Sequence, residues 1–138
     1  MKVAIPKETW PGERRVALVP GSCKKLIQAG MEVWVEIGAG LEAYFPDAAF
    51  KEAGAILMPD AGTLLAGADM ILKVHPPGMN TAAGRPEVDL MRNGAVLVTT
   101  LVPARNLEAV RALAARKITA FATAGKTMRS SSIGAMQF

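Results

Sequence analysis

The sequence predicts an α/β fold in which a parallel sheet is flanked by helices, in a flavodoxin-like or Rossmann-like three-layer architecture. Short apolar runs alternate along the chain with stretches of helical periodicity, which is the order that βαβ units produce. The run Ala95–Thr99 is almost wholly apolar, as expected of a strand that is buried on both faces. A charged loop, Lys7–Arg15, directly follows the first predicted strand, and open α/β sheets carry their ligand chemistry at that edge.

Six strands are predicted from apolar runs bounded by glycine, proline or polar residues. Pro6 ends the first strand, because proline has no N–H to donate to a sheet. Apolar and acidic residues alternate in the second strand, which is typical of a strand covered on one face. The predicted strands are Val3–Ile5, Met31–Ile37, Ala55–Met58, Met70–Val74, Ala95–Thr99 and Ile118–Ala122.

Helices are predicted between these strands where apolar residues recur every three or four positions. Asp47 and Asn106 are predicted N-caps, since a short polar side chain can accept a hydrogen bond from the free N–H groups of a first turn. The segment Gly78–Arg85 is expected to be a loop. The predicted helices are Pro20–Ala29, Ala48–Ala53, Thr63–Ala66, Glu87–Arg92 and one that begins after Asn106. The residues expected on the buried face of this last helix are Leu107, Val110, Leu113 and Ala114.

Length and composition indicate one globular domain. The chain has 138 residues, of which 51% are hydrophobic and 20% charged. No apolar run approaches the roughly 20 residues that a membrane span requires, and the N-terminus lacks the apolar region of a signal peptide. Cys23 is the single cysteine, so no internal disulfide can form and a reducing compartment is expected. The net charge of +4 is spread along the chain without a basic run, which argues against nucleic-acid binding.

Three side chains near strand ends are candidates for substrate binding. Arg15 can clamp a carboxylate or phosphate through its bidentate fork; the alternative is a surface ion pair with Glu8 or Glu13. Lys73 lies in an apolar run and needs a partner there, either Glu8 or an acidic ligand, because burying an unpaired lysine is costly. His75 is the only histidine and could transfer protons, or it could merely occupy the turn before two prolines.

Other motifs are incomplete. The turn Gly38–Gly40 resembles the start of a dinucleotide-binding loop, but Ala43 stands where the third glycine belongs. Gly125–Thr127 resembles the end of a phosphate loop, but the earlier glycine is replaced by Ala120. The sequence has no cluster of cysteines and histidines, so no metal site is predicted. No catalytic residue and no cofactor-binding residue is assigned.

Several blocks of sequence together resemble one enzyme family. The N-terminal domain shared by alanine dehydrogenase and the alpha subunit of proton-translocating NAD(P) transhydrogenase is similar to residues 1–122, which we take as one domain. Residues 123–138 are expected to be a divergent tail, for which disorder is one expectation. The blocks that carry the resemblance are IPKE from Ile5, GERRVALVP from Gly12, VEIGAG from Val35, KEAGA from Lys51, DMILKVHPP from Asp69 and LVPARNLE from Leu101.

The resemblance favours the transhydrogenase branch. In alanine dehydrogenases an arginine at the position of Arg15 holds the substrate carboxylate, together with a lysine at the position of His75. A histidine in the loop after the next strand completes that set, but the corresponding segment, Thr100–Pro103, has none. The motif that begins at Pro103 instead resembles transhydrogenases. Two of the three positions are therefore changed.

The resemblance also implies cofactors, partners and location. Intact members transfer hydride between NAD(H) and NADP(H), coupled to proton translocation by membrane-embedded subunits, and a homodimer is a further partner to consider. The implied location is cytoplasmic and peripheral at the inner membrane. The nucleotide-binding domain that follows in the family is not present in this sequence, so we expect a truncated or frameshifted gene product without dehydrogenase activity or tight cofactor binding. The alternatives are a keto-acid domain of the alanine dehydrogenase type and a non-catalytic assembly module.

Overall fold

A computed structural model describes residues 1–100, 107–123 and 133–137 of the chain. The strands are β1 (Lys2–Ile5), β2 (Glu32–Glu36), β3 (Ile56–Met58), β4 (Met70–Leu72), β5 (Met79–Asn80), β6 (Arg85–Pro86), β7 (Val96–Thr100), β8 (Thr119–Thr123) and β9 (Ile133–Gln137). The helices are α1 (Pro20–Gln28), α2 (Asp47–Glu52), α3 (Ala61–Gly67), α4 (Glu87–Leu90) and α5 (Leu107–Ala115), with a 3-10 turn at Leu41–Ala43.

Within the described residues, the main sheet has seven strands in the order β3-β2-β1-β4-β7-β8-β9. Every neighbouring pair is parallel except β8 and β9, which are antiparallel. The predicted α/β fold is therefore confirmed, and each of the six predicted strands is present. β9 lies within residues 123–138, where the sequence predicts no element. The boundary of the domain at residue 122 stays a prediction.

The order of the strands creates a topological switch point between β1 and β4. From β1 the chain moves outward through β2 and β3, and from β4 it moves outward in the opposite direction through β7 and β8. The connections that leave β1 and β4 therefore part to opposite sides and open a crevice at the carboxyl ends of these strands. The charged loop Lys7–Arg15 and the segment after β4 border this crevice.

Two apolar cores lie on opposite faces of the sheet. One core joins α1 and α2 to β1 and β2, and its buried residues include Ile5, Cys23, Val33, Val35 and Phe50. The other core joins α3, α4 and α5 to the central strands, and its buried residues include Leu64, Ile71, Met91, Leu97 and Leu113. Cys23 is thus a core residue, and burial raises the pKa of its thiol to about 11.

One region of the sheet is less well covered. Ile71, Leu97 and Ala120 face the core formed with α3, α4 and α5, so the residues on either side of them in β4, β7 and β8 face the opposite way. These residues are half-buried and form two rows across the strands. The rows are Met70, Val96 and Thr119, and Leu72, Val98 and Phe121. A mostly apolar strip therefore remains partly exposed on this face of the sheet.

The structure corrects three local predictions. Asp47 is not an N-cap, because it is the first residue of α2 and Pro46 holds the cap position. The segment Gly78–Arg85 is not all loop, since β5 and β6 pair there as a short antiparallel hairpin. In α5, Leu113 is buried as predicted, but Leu107 and Ala114 are exposed, because the helix buries a narrower stripe than its apolar pattern suggests. The predicted cap Asn106 lies outside the described residues.

Candidate functional site

A buried cluster of charges joins the three segments that meet at the switch point. Lys73 Nζ lies 3.2 Å from Glu8 Oε1 and 3.2 Å from Glu87 Oε2. The exposed fraction of each of these side chains is at most 2%. Burial of a lysine requires compensating charge, and here two carboxylates supply it. The Glu8 partner predicted for Lys73 is therefore present, and Glu87 is a second partner that the sequence did not reveal.

Glu87 is fixed by the turn that precedes α4. Its Oε1 accepts a hydrogen bond from the Gly78 N–H at 3.0 Å, and its own N–H donates to the Gly78 carbonyl at 2.8 Å. Its other carboxylate oxygen, Oε2, has only the Lys73 ammonium as a polar partner among the described residues. An acidic residue in the first turn of a helix is usually solvated and interacts with the helix dipole, so nothing local in the sequence marked Glu87 as buried.

Glu8 also positions the backbone after β4. Its carboxylate accepts hydrogen bonds from the N–H groups of Val74 at 3.0 Å and His75 at 3.1 Å. The Thr99 hydroxyl donates to the His75 carbonyl at 2.7 Å. Both backbone polar groups of His75 are thus bound, one from the loop after β1 and one from β7. The imidazole therefore projects from a fixed backbone and not from a free turn.

A second, more exposed cluster forms around Glu13. The Arg15 guanidinium donates to both carboxylate oxygens of Glu13, from Nε to Oε1 at 2.8 Å and from Nη2 to Oε2 at 2.9 Å. The same Oε2 makes a short contact with His75 Nε2. Trp10 stacks on the imidazole, with ring centroids 4.9 Å apart and ring planes 15° apart. Glu13 therefore bridges two of the three predicted site residues, whereas Lys73 lies in the separate buried cluster.

The Glu13 contacts predict a pH dependence of stability. The hydrogen bonds from Arg15, helped by His75, lower the pKa of the Glu13 carboxyl from 4.5 to about 2. A carboxyl group with a lowered pKa in the folded state stabilises the fold above pH 4.5. That contribution is lost as the pH falls toward 2, when the folded protein also takes up the proton. We expect it to be about 1 kcal/mol, because the exposed Arg15 guanidinium is screened by solvent.

Urea unfolding across this acid range measures the effect, with Glu13→Gln as the comparison. The unmodified chain should lose more stability than the variant as the pH falls. Equal losses in the two proteins would show that the ion pair does not stabilise the fold.

The glycine-rich turn after β2 is filled by the protein itself. The Gly38 N–H donates to Asp47 Oδ1 at 2.8 Å, and the Ala39 N–H donates to the Glu36 carbonyl at 3.0 Å. These are N–H groups that a phosphate would need in a dinucleotide-binding loop. A Cβ on Gly40 would lie 2.5 Å from Phe50 Cε2, so this glycine is required for packing. The turn is therefore a structural connection, in agreement with its incomplete motif.

Glu36 ties this turn to the charged loop. Its Oε1 accepts a hydrogen bond from the Lys7 N–H at 3.1 Å. Burial raises the pKa of this carboxyl, and the hydrogen bond from Lys7 opposes the change. Sequence reasoning missed Glu36, because its place in an alternating strand predicts a solvated side chain.

The described ranges contain no group of three or more histidine, cysteine or acidic side chains that could hold a metal ion. In the same portion of the chain, no helix is both long and apolar enough to cross a membrane. The loop residues Pro103–Asn106, which contribute to the resemblance, lie outside the described residues.

The fold and site define an α/β domain whose charged loops meet at the switch point of a parallel sheet, the place where nucleotide-dependent enzymes bind their ligands. The chain belongs to the family described as alanine dehydrogenase/PNT, N-terminal domain, whose model matches residues 4–133.

Three relatives show both branches of this family. The first portion of the NAD(P) transhydrogenase alpha subunit of Rhodospirillum rubrum, a separate chain, is 48% identical over 122 residues, which cover 88% of this chain and 32% of that protein. A solved L-alanine dehydrogenase superposes with a TM-score of 0.80 at 34% identity, over 88% of this chain and 32% of that one. A solved transhydrogenase from Sinorhizobium meliloti gives a TM-score of 0.78 at 39% identity, over 88% and 33%. The chain thus spans about a third of the length of the relatives it matches.

Proposed function

We propose that this chain acts as the first domain of a transhydrogenase alpha subunit and not as the keto-acid domain of an alanine dehydrogenase. The observation that carries the proposal is the position of the Glu13 carboxylate. It takes both arms of the Arg15 fork and also contacts His75. A keto-acid carboxylate would need the same donors, and a bidentate arginine binds one carboxylate in this geometry.

The substitution at position 75 supports the same conclusion. The resemblance places a substrate-binding lysine there in alanine dehydrogenases. In this chain the imidazole of His75 instead lies between the ring of Trp10 and the Glu13 carboxylate. Lys73 offers no replacement cation, because it is buried between Glu8 and Glu87. The greater identity to the Rhodospirillum rubrum subunit points in the same direction.

In this proposal NAD(H) and NADP(H) are the cofactors of the assembled enzyme, which lies at the inner membrane with its membrane-embedded subunits. The isolated domain is inactive, since the backbone donors of its glycine-rich turn are already used. The half-buried strip on β4, β7 and β8 supports a role in assembly. Parallel sheets are normally covered on both faces, and we infer that the remainder of a transhydrogenase chain covers this strip.

Two chimeric proteins test the choice between the branches. Residues 1–122 of this chain replace the matching segment of the Rhodospirillum rubrum alpha subunit in one chimera, and that of Bacillus subtilis alanine dehydrogenase in the other. We expect the first chimera to transfer hydride from NADH when its partner subunits are added. The second should bind NADH and fail to oxidise alanine, because Glu13 and His75 come with the transplanted domain.

Each parent enzyme carried through the same purification is the activity control, and circular dichroism reports folding. A folded alanine dehydrogenase chimera that oxidises alanine, beside a folded but inactive transhydrogenase chimera, would reverse the assignment.

A further inference from the structure

The turn before Arg15 holds Glu13 where an external anion would bind. The Glu13 N–H donates to the Trp10 carbonyl at 3.1 Å, and Gly12 between them has a φ of +81°. Glycine adopts this left-handed conformation without strain. The Glu13 carboxylate also accepts the backbone N–H of Arg15 at 2.8 Å. Both sides of the turn therefore fix the carboxylate, and its position does not depend on the Arg15 side chain alone.

The exposure of the two partners differs sharply. The Glu13 side chain is 7% exposed, whereas the Arg15 side chain is 69% exposed. The carboxylate thus lies beneath the guanidinium, against the imidazole, and Arg15 closes over it from the solvent side. A solvated surface pair would leave both partners exposed. This arrangement is instead that of a small site whose ligand is a side chain of the same loop.

An internal carboxylate competes strongly with a free one. Glu13 is two residues from Arg15, so the two groups meet at a high effective concentration. A small carboxylate would have to displace Glu13, and this would leave the displaced acid without its donors. The imidazole stays in place during such an exchange, because its backbone is bound by Glu8 and Thr99.

We propose that Glu13 determines the ligand selectivity of this site, by filling the space between Arg15, His75 and Trp10 and so excluding small carboxylates. Removal of its side chain then converts the loop into a monocarboxylate site. Arg15 would supply the bidentate fork, and His75 would supply a donor or acceptor at one carboxylate oxygen. This inference deepens the proposed function, since it names the residue that keeps a keto acid out.

Four proteins test the inference by titration with pyruvate, followed by the NMR signal of the Trp10 indole N–H. They are the unmodified chain, Glu13→Ala, the double variant Glu13→Ala/Arg15→Ala, and the control Glu42→Ala, which removes an exposed acid from another loop. We expect Glu13→Ala to bind pyruvate at least about tenfold more tightly than the unmodified chain, equivalent to about 1.4 kcal/mol. The double variant should lose this gain, and Glu42→Ala should behave as the unmodified chain does.

Two results would overturn the inference, provided the amide spectra show folded proteins. One is a Glu13→Ala variant that binds pyruvate no better than the unmodified chain. The other is a gain that persists without Arg15. Tight pyruvate binding by the unmodified chain is a different result, and it would contradict the proposed function itself. The two failures can therefore be told apart within one set of titrations.

Discussion

Replacement of Lys73 by methionine is expected to lower the free energy of unfolding by about 3–5 kcal/mol, the usual cost of removing one partner from a buried ion pair. The substitution keeps most of the side-chain volume but leaves Glu8 and Glu87 buried without their cation. Urea unfolding followed by circular dichroism measures the change. Loss of a cooperative transition would be the extreme form of the same result.

The matched control is Lys24→Met, which removes a lysine exposed on α1. Exposed charges contribute little to stability, so this variant should unfold close to the unmodified chain. A Lys73→Met protein as stable as the control would show that the buried cluster is not the fastening point of the switch-point loops. Lys73 would then be free to serve as a ligand group.

Replacement of Gly40 by alanine is expected to destabilise the domain by about 1–3 kcal/mol, the typical cost of overpacking a core. The added Cβ would lie 2.5 Å from Phe50 Cε2 and 2.8 Å from the Phe45 carbonyl oxygen. Phe50 is fully buried, so neither the ring nor the backbone can withdraw without disturbing the core around α2. The thermal midpoint and the urea midpoint both report the loss.

Gly21→Ala is the control for Gly40→Ala. Gly21 lies in α1, where a Cβ meets nothing within 4 Å, and alanine favours a helix over glycine. This variant should be neutral or slightly more stable. If Gly40→Ala were equally harmless, the turn after β2 would have more room than its packing indicates, and its rejection as a phosphate site would have to be reconsidered.

The strands were predictable because their signals are local. Val3–Ile5 and Ala95–Thr99 are apolar runs bounded by breakers, and the sheet uses both as parallel strands. The hairpin of β5 and β6 was not predictable, since each strand is two residues long and shows no periodicity. Asp47 was misassigned because its sequence position fits a helix cap, whereas its actual partner is the Gly38 N–H nine residues earlier.

Only some of the site was predictable, because its partners are distant in sequence. The requirement of Lys73 for an acidic partner follows from its apolar surroundings, and the charged loop suggested Glu8. Glu87 could not be foreseen, since only the tertiary fold buries it. The ion pair of Arg15 with Glu13 was one of two alternatives for that arginine. The contact between Glu13 and His75 joins residues 62 positions apart, and no local pattern indicates it.

Calorimetric titration of the unmodified chain with pyruvate and with NADH tests the central claim most directly. The claim is that Glu13 occupies the carboxylate site and that the glycine-rich turn lacks free donors for a dinucleotide. The account predicts no heat of binding from either ligand in the isolated chain. Pyruvate binding that disappears in Arg15→Ala, or NADH binding of micromolar strength, would contradict it.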